Sequence, residues 1–383
     1  MTKLNASIVG IGQTEFSKNS GRSELQLACE CIKQALDDSG LSPSDVDGMS
    51  TFTLDNNEDI DLVRSLGIEN LRFSSRVPHG GGGACGVVSH SAAAITAGLA
   101  DVVVVWRAMN ERSGQRFGQA QTTAGGPGSG TDFMTWSMPF GALTPASWMA
   151  MNLQRYMDIY GVSNVDLGHV SVTMRKHAAT NPAAWFYQKP ITLEEHQASK
   201  WIIEPTLRLL DCCQESDGGV AMVITSNDRA NELKQTPVNI KAASQMVPHG
   251  VEVVTNYYHG ELSIFKEALL LSKELYRQSN LSSGDFQVAM LYDHFTPIVL
   301  MQLEAFGFCN YGQGKNFVSE GNIALDGRIP VNPNGGLIGE AYIHGVNNIV
   351  EGVRQLRGSA VNQVRNVEHV LVSAGMSGLI LNV

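Results

Sequence analysis

One helix-turn-strand pattern occurs in each half of the 383-residue chain, and self-similarity of that kind restricts a chain to architectures made from two copies of one unit. Asp38-Ser39-Gly40-Leu41-Ser42-Pro43-Ser44-Asp45-Val46-Asp47-Gly48-Met49 is echoed by Gln278-Ser279-Asn280-Leu281-Ser282-Ser283-Gly284-Asp285-Phe286-Gln287-Val288-Ala289-Met290. Both end a helix, turn through small residues and enter a strand. A second echo follows each. Gly80 to Gly83 opens a small-residue helix, Val87 to Ala97, that leads to a strand over Asp101 to Trp106. In the later half Gly335-Gly336 opens a helix, Tyr342 to Leu356, that leads to a strand over His369 to Ser373.

Alternating strand and helix signals predict α/β layers. Ala6 to Gly10 is apolar and glycine-ended, and Leu25 to Asp38 has helical spacing. Val102 to Val105 is apolar on both faces, which suits a central strand covered by helices on each side. The span 111–205 interrupts the first copy and is rich in Gly, Pro, Met and Trp, including Gly125-Gly126-Pro127-Gly128. Long insertions on a rigid scaffold commonly cover a site. The expected organisation is therefore a first half over 1–110 and 206–235, an inserted loop domain over 111–205, and a second half over 236–383. Met134, Trp136, Met138, Trp148, Met149 and Met151 suit an apolar pocket wall, although core packing is the usual use of such residues.

Hydrophobic residues make up 43% and charged residues 17%, so a large core can be buried and a soluble globular protein is expected. A formal net charge of −10 argues against non-specific nucleic-acid binding, which needs a basic face. The N-terminal residues lack a signal-peptide apolar stretch and no window nears 18 uninterrupted apolar residues, so a cytoplasmic protein with no membrane span is expected. Cys29, Cys31, Cys85, Cys212, Cys213 and Cys309 lie in apolar stretches without the paired spacing of a metal site. They read as buried reduced thiols, with no metal bound.

A duplicated α/β unit with a covering insertion resembles the thiolase fold, a five-layer α-β-α-β-α architecture, and four stretches resemble the sterol-carrier-type thiolases. They are Asp211-Cys212-Cys213-Gln214-Glu215-Ser216-Asp217-Gly218-Gly219, Tyr292-Asp293-His294-Phe295-Thr296 with Glu304-Ala305-Phe306-Gly307, Asn332-Pro333-Asn334-Gly335-Gly336-Leu337-Ile338-Gly339, and Arg354-Gln355-Leu356-Arg357-Gly358. In that resemblance Asp217-Gly218 matches a structural Ser-Asp-Gly turn. Counting back from Ile95, Gly98 and Asp101, the family's nucleophilic cysteine falls on Gly81, with Cys85 a turn too late. Tyr342 stands at the family's histidine and Tyr292 at its thioester-oxyanion position. The second family cysteine aligns near Val372-Ser373-Ala374-Gly375, where there is none.

Covalent acyl transfer at Gly81 is unavailable for want of a nucleophile. Two tyrosines at catalytic positions resemble instead the lipid-transfer-protein-like aldolases of bacterial steroid side-chain degradation. That resemblance implies retro-aldol cleavage of a β-hydroxyacyl-CoA, with a 17-hydroxy steroid side chain giving a 17-ketosteroid and propionyl-CoA. One tyrosine takes the β-hydroxyl proton and the other protonates the thioester enolate. It also implies a homodimer and a separate OB-fold partner with a zinc ribbon, completing a heterotetramer. CoA enters as substrate, no cofactor is expected, and zinc belongs to the partner alone.

Tyr292, Tyr342 and His294 are accordingly the candidate catalytic residues. Gly81, Gly82, Gly83, His79, Asp293 and Gly336 are candidates for binding substrate or an oxyanion, by backbone N–H groups at a helix start in the case of the glycines. His344, two residues past Tyr342, would point about 200° round a helix from it. Gly81-Gly82-Gly83-Ala84-Cys85-Gly86 also fits a dinucleotide fingerprint, with Asp101 about 20 residues on. Arg72 to His79 does not read as the apolar strand which that motif requires, and Asp101 begins a strand instead of ending one. Close packing is the other use of the glycines. Two further readings stay open: a degenerate thiolase that binds acyl-CoA or sterol, and a C-acyltransferase using Cys85.

Overall fold

The structure is a computed structural model and describes residues 4–78, 80–119, 137–249 and 261–383. The first half runs β1 (Ser7–Gln13), α1 (Glu24–Ser39), β2 (Gly48–Phe52), α2 (Asp59–Leu66), β3 (Phe73–Val77), α3 (Ala84–Thr96) and β4 (Val102–Asn110). Next come α4 (Pro145–Tyr160), α5 (Asn164–Thr180), α6 (Leu193–Ala198) and a small ladder of β5 (Trp201–Ile203) with β6 (Leu207–Arg208). β7 (Asp217–Thr225) returns to the first half, and α7 (Asn227–Ala230) leads out of it. The second half is β8 (Val238–Gln245), α8 (Lys266–Ser279), β9 (Val288–Leu291), α9 (Thr296–Ala305), α10 (Gly314–Ser319), α11 (Gly336–Gly339), α12 (Val346–Arg357), β10 (His369–Ser373) and β11 (Ser377–Asn382).

The duplication is visible in the pairing. Among the described residues one sheet has the order β3-β2-β4-β7-β1-β8-β11-β10-β9. Read outward from the β1–β8 junction, the two halves match: β1 with β8, β7 with β11, β4 with β10, and β2 with β9. The senses match too, β2–β4 and β9–β10 being parallel while β4–β7 and β10–β11 are antiparallel. Where β3 would have its counterpart, Val331 makes an isolated parallel bridge to Ala289. The half-sheets join through the pairs Ser7 with Asn239 and Ile8 with Val238.

Local chemistry explains why the first echo folds twice the same way. α1 ends on Gly40 at φ 79° and α8 on Asn280 at φ 57°, residue types that tolerate the left-handed conformation of a C-cap. Each is followed by a single 3₁₀ turn in which a serine and an aspartate three residues on cap one another, Ser42 with Asp45 and Ser282 with Asp285. Each then enters a buried strand, β2 or β9.

Period-two alternation sorts side chains between layers. On β4, Val103 and Val105 join the central core while Val102, Val104 and Trp106 face the core under α1 and α2. On β11, Leu379 and Leu381 are central while Ile380 faces the core shared with α8 and α9. The central core holds Val87, Val88, Ala92 and Ile95 of α3 and Ile349, Val350 and Val353 of α12, so both helices are sandwiched between the half-sheets. The expected α/β thiolase-type layering, with Val102 to Val105 in a central strand, is therefore present. One element differs: no helix spans Tyr342 to Leu356. Gly345, at φ 81°, caps a helix that starts at Val346, and Tyr342 lies in the connection that precedes it. No helix among the described residues is long and apolar enough to cross a membrane.

Candidate active site

Three segments meet at the ends of the central layer. Tyr292 follows the last residue of β9, Tyr342 sits in the connection between α11 and α12, and Gly81 to Gly83 form a 3₁₀ turn before α3. The two tyrosine hydroxyls are 2.9 Å apart, and their rings meet edge-on with centroids 6.3 Å apart. Gln302 Nε2 donates to the Tyr292 carbonyl at 2.9 Å, and the Tyr342 amide donates to Ser216 Oγ at 3.1 Å. Burial raises both phenols well above their ordinary values, so both are neutral.

Glycine makes this packing possible. A β-carbon on Gly81 would fall on the Tyr292 hydroxyl, and one on Gly345 would meet the Tyr292 ring at 2.9 Å. A β-carbon on Gly83 would lie 2.7 Å from the Pro78 carbonyl, and one on Gly82 would lie 3.2 Å from Met376 Sδ. The glycine run thus serves close approach. Contrary to the expectation for Arg72 to His79, Phe73–Val77 before the glycines is a strand, paired in parallel with β2. Its residues are mostly half-exposed, which hid it from a search for apolar runs. Asp101 does precede β4 and is paired with Arg72 at 2.8 Å.

A cavity of about 360 Å³ opens beside Tyr342, with Glu111, Arg116, Phe117, His294 and Phe295 among its walls. The Tyr292 and His294 rings are 4.7 Å apart. The His294 Nδ1 has no partner among the described residues, and burial pushes the imidazole down to about 3, which keeps it neutral. Asp293 and Gly336 come together behind the tyrosines instead of at the cavity wall. Asp293 accepts from the amides of Leu337 at 2.9 Å and Ile338 at 3.3 Å, and Gly336 has φ 63° with no room for a β-carbon beside that carboxylate. Together they form the turn that launches α11. His79, Gly125 to Gly128, Met134 and Trp136 lie outside the described residues. Met138, Trp148, Met149 and Met151 do not line the cavity; from that region Thr144, Pro145 and Ala146 do.

His344 is corrected as well. Tyr342 is on no helix, so the expected 200° separation does not apply: His344 is buried, at φ 50°, with its ring edge-on to Tyr342 at 5.3 Å. Arg107 Nε donates to its Nδ1 at 3.0 Å and Arg107 Nη1 pairs with Asp55 at 2.8 Å. That ion pair is closed off from water, with side chains 3% and 0% exposed. An arginine inside a strand buried on both faces needs an anion, and this signal was legible in Val102 to Asn110.

Glu111 was missed. It follows β4 directly, is 4% exposed, and its Oε2 has no partner among the described residues. In sequence, beside Arg112, it reads as ordinary surface charge. Lys18, whose burial lowers it to about 8, donates to Gln214 Oε1 at 2.8 Å, and Arg116 pairs with Glu215 at 2.6 Å.

The cysteines divide. Cys31 and Cys85 are buried, whereas Cys29, Cys212, Cys213 and Cys309 are half-buried, which corrects the expectation of uniform burial; Cys212 and Cys213 line the cavity. Cys85 lies in the first turn of α3 with its Sγ 3.9 Å from the Val372 carbonyl, away from the cavity. Burial drives its thiol far above the usual value, so it supplies no thiolate. Among the described residues no group of histidine, cysteine and carboxylate side chains has the arrangement of a metal site.

Residues 259–382 match the family model described as thiolase C-terminal domain-like. The chain is 55% identical to the 17-hydroxy-3-oxo-4-pregnene-20-carboxyl-CoA lyase of Mycobacterium tuberculosis, over 100% of both chains. It is 53% identical to the steroid side-chain-cleaving aldolase of Thermomonospora curvata, over 98% of this chain and 97% of that one. The chain belongs to the steroid side-chain-cleaving aldolases. A solved structure described as an Ltp2-ChsH2(DUF35) aldolase overlays with a TM-score of 0.94 at 51% identity, covering 100% of this chain and 98% of that one. Human mitochondrial 3-ketoacyl-CoA thiolase shares the fold alone, with a TM-score of 0.68 at 15% identity, covering 100% of this chain and 98% of the other. The steroid side-chain-cleaving aldolases are carbon–carbon lyases, and in this member two tyrosine hydroxyls meet over the glycine turn.

Proposed function

We propose that this chain is a CoA-thioester retro-aldolase that cleaves a bulky β-hydroxyacyl-CoA, a 17-hydroxy steroid side-chain ester, to a 17-ketosteroid and propionyl-CoA, with Tyr292 and Tyr342 as the acid–base pair. The observation that carries this reading is the 2.9 Å contact between the buried hydroxyl of Tyr292 and that of Tyr342, directly over a residue with no side chain; Tyr342 lines the cavity, whereas Tyr292 and the glycine turn are not among its walls. A retro-aldol step consumes no net proton, because the one lost by the β-hydroxyl equals the one gained by the enolate carbon. Two hydrogen-bonded phenols can therefore relay it. One accepts the hydroxyl proton as it passes its own to the other, and the other delivers a proton to Cα as the Cα–Cβ bond breaks. Neither phenol needs to ionise fully, which suits groups whose anions are disfavoured by burial. Backbone N–H groups of Gly81 and Gly82 are proposed to face the thioester oxygen; that of Gly83 is taken by the Gly80 carbonyl at 3.1 Å.

The names of the two relatives, a lyase of a pregnene-carboxyl-CoA and a steroid side-chain-cleaving aldolase, support the substrate class. A DUF35-type partner is proposed from the description of the solved relative. The OB-fold, the zinc ribbon and the heterotetramer are the further expectations for it. Among the described residues β3 is an edge strand paired on one side by β2, and an edge of that kind favours pairing with a second copy in a homodimer.

The test is to co-express the chain with a DUF35 partner and follow release of ketosteroid and propionyl-CoA from a 17-hydroxy-steroid carboxyl-CoA thioester, with acetoacetyl-CoA thiolysis measured beside it. Cleavage without thiolysis is expected. Thiolysis, or tight acyl-CoA binding with neither reaction, overturns the reading.

A further inference from the structure

We propose that Glu111 is a catalytic residue of this cavity: as a neutral carboxylic acid it donates a hydrogen bond to the substrate oxygen on which negative charge develops. The inference rests on the retro-aldolase reading for the identity of that oxygen, which is then the thioester oxygen of the enolate.

Geometry makes the case. Glu111 lines the same cavity as Tyr342 and His294. It is 4% exposed, yet its Oε2 meets no donor or acceptor among the described residues. A buried carboxyl oxygen left without a partner costs stability, and such losses persist where a ligand supplies the partner. The side chain is also tethered to the tyrosine machinery. The Ser216 amide faces its carboxylate, and the Ser216 hydroxyl receives the Tyr342 amide.

Charge decides which protonation state works. Glu111, if ionised, opposes negative charge on Tyr292, Tyr342 and Cys213, and so opposes any oxyanion formed there. As a neutral acid it favours one. Burial first and the nearby Glu215 second lift it to about 8, against the pull of Arg107 and Lys18. Arg116, Lys200, Cys212 and the neutral His294 also line the cavity, and Arg112 lies 4.0 Å from Glu215. The acid form therefore prevails below about pH 8 and is lost as pH rises through that value.

The experiment uses the full chain and three forms of it: wild type, E111Q and E111L. The first readout does not depend on turnover. Infrared difference spectra of wild type against E111Q at pH 7 should show a protonated carboxyl band that shifts to lower frequency when propionyl-CoA binds. An absent band, or one the ligand leaves unmoved, overturns the proposal whether or not the chain proves to be a retro-aldolase. The second readout is the pH dependence of kcat for β-hydroxyacyl-CoA cleavage. Wild type should lose activity above about pH 8. E111Q, which keeps a neutral donor, should retain turnover within about tenfold and lose that alkaline limb. E111L should fall by about 100-fold or more in kcat with little change in KM, while melting no lower than wild type. A limb that persists in E111Q belongs to a group other than Glu111, and a rate that climbs through pH 8 makes Glu111 a base; either result overturns the assignment.

Discussion

The Tyr292 hydroxyl occupies the space that a β-carbon on residue 81 would need. The two positions are coupled: a side chain at residue 81 and a phenol at residue 292 exclude one another. A chain that adopts this tyrosine must give up a nucleophilic side chain at residue 81.

Replacing Gly81 with alanine should therefore destabilise the fold by about 1–3 kcal/mol, the usual range for overpacking a core, and should lower turnover about 100-fold by displacing the phenol. Urea unfolding of G81A, Y292A and the double variant checks it. A coupling energy near zero would show that the two residues do not compete for space.

Y292F and Y342F should each reduce kcat by about 10²–10⁴ with small changes in KM, because each removes a hydroxyl proposed to transfer a proton without removing the ring that packs. Stability should change by only about 1 kcal/mol, the worth of one hydrogen bond. Steady-state kinetics with thermal melts of the same preparations separate the two effects.

Asp293 gives a stability prediction with a definite sign. Burial raises it to about 7, above its value in an unfolded chain, so the folded state holds its proton over a range where the unfolded state has released it. Its contribution is fully present below about pH 4 and lost as pH rises through about 7. Denaturant melts between pH 4 and 8 should show stability falling with pH, and a shallower fall in D293N.

R107M should cost about 3–5 kcal/mol by leaving the Asp55 carboxylate buried without its cation. It should also lower kcat more than it raises KM, since Arg107 holds His344 beneath Tyr342. In R107M/D55L most of the stability should return while kcat stays low. Recovery of both would restrict Arg107 to the ion pair.

C85A should keep cleavage activity within a few-fold and lose about 1–2 kcal/mol of stability, as a small cavity in a packed core does. Mass spectrometry after acyl-CoA incubation of wild type should find Cys85 unmodified. An acylated Cys85 would revive acyl transfer.

Much of the architecture was legible because its signals are local. The serine–aspartate turns after Gly40 and Asn280 are written into short stretches, and β4 declares itself as Val102 to Val105. The tyrosine pair was legible from resemblance. What could not be read depends on tertiary burial or on one backbone angle. Gly345 at φ 81° moves Tyr342 off the helix, and that shift carries His344 inward with it. Glu111 sits next to Arg112 and Arg116, where charge ordinarily means solvent; nothing in its neighbours indicates that the Ser216 segment and the second half close over it.

The short β1–β8 ladder has a consequence for how this centre comes into being. Gly81 is contributed by one copy of the repeat and Tyr292 and Tyr342 by the other, and α3 and α12 share a core to which neither half-sheet alone offers both faces. Each half can form its helices and strands early, yet the pair of phenols has no glycine turn beneath it until the copies dock. Recovery of the Tyr292–Tyr342 contact over Gly81 in refolding should therefore trail the return of secondary structure.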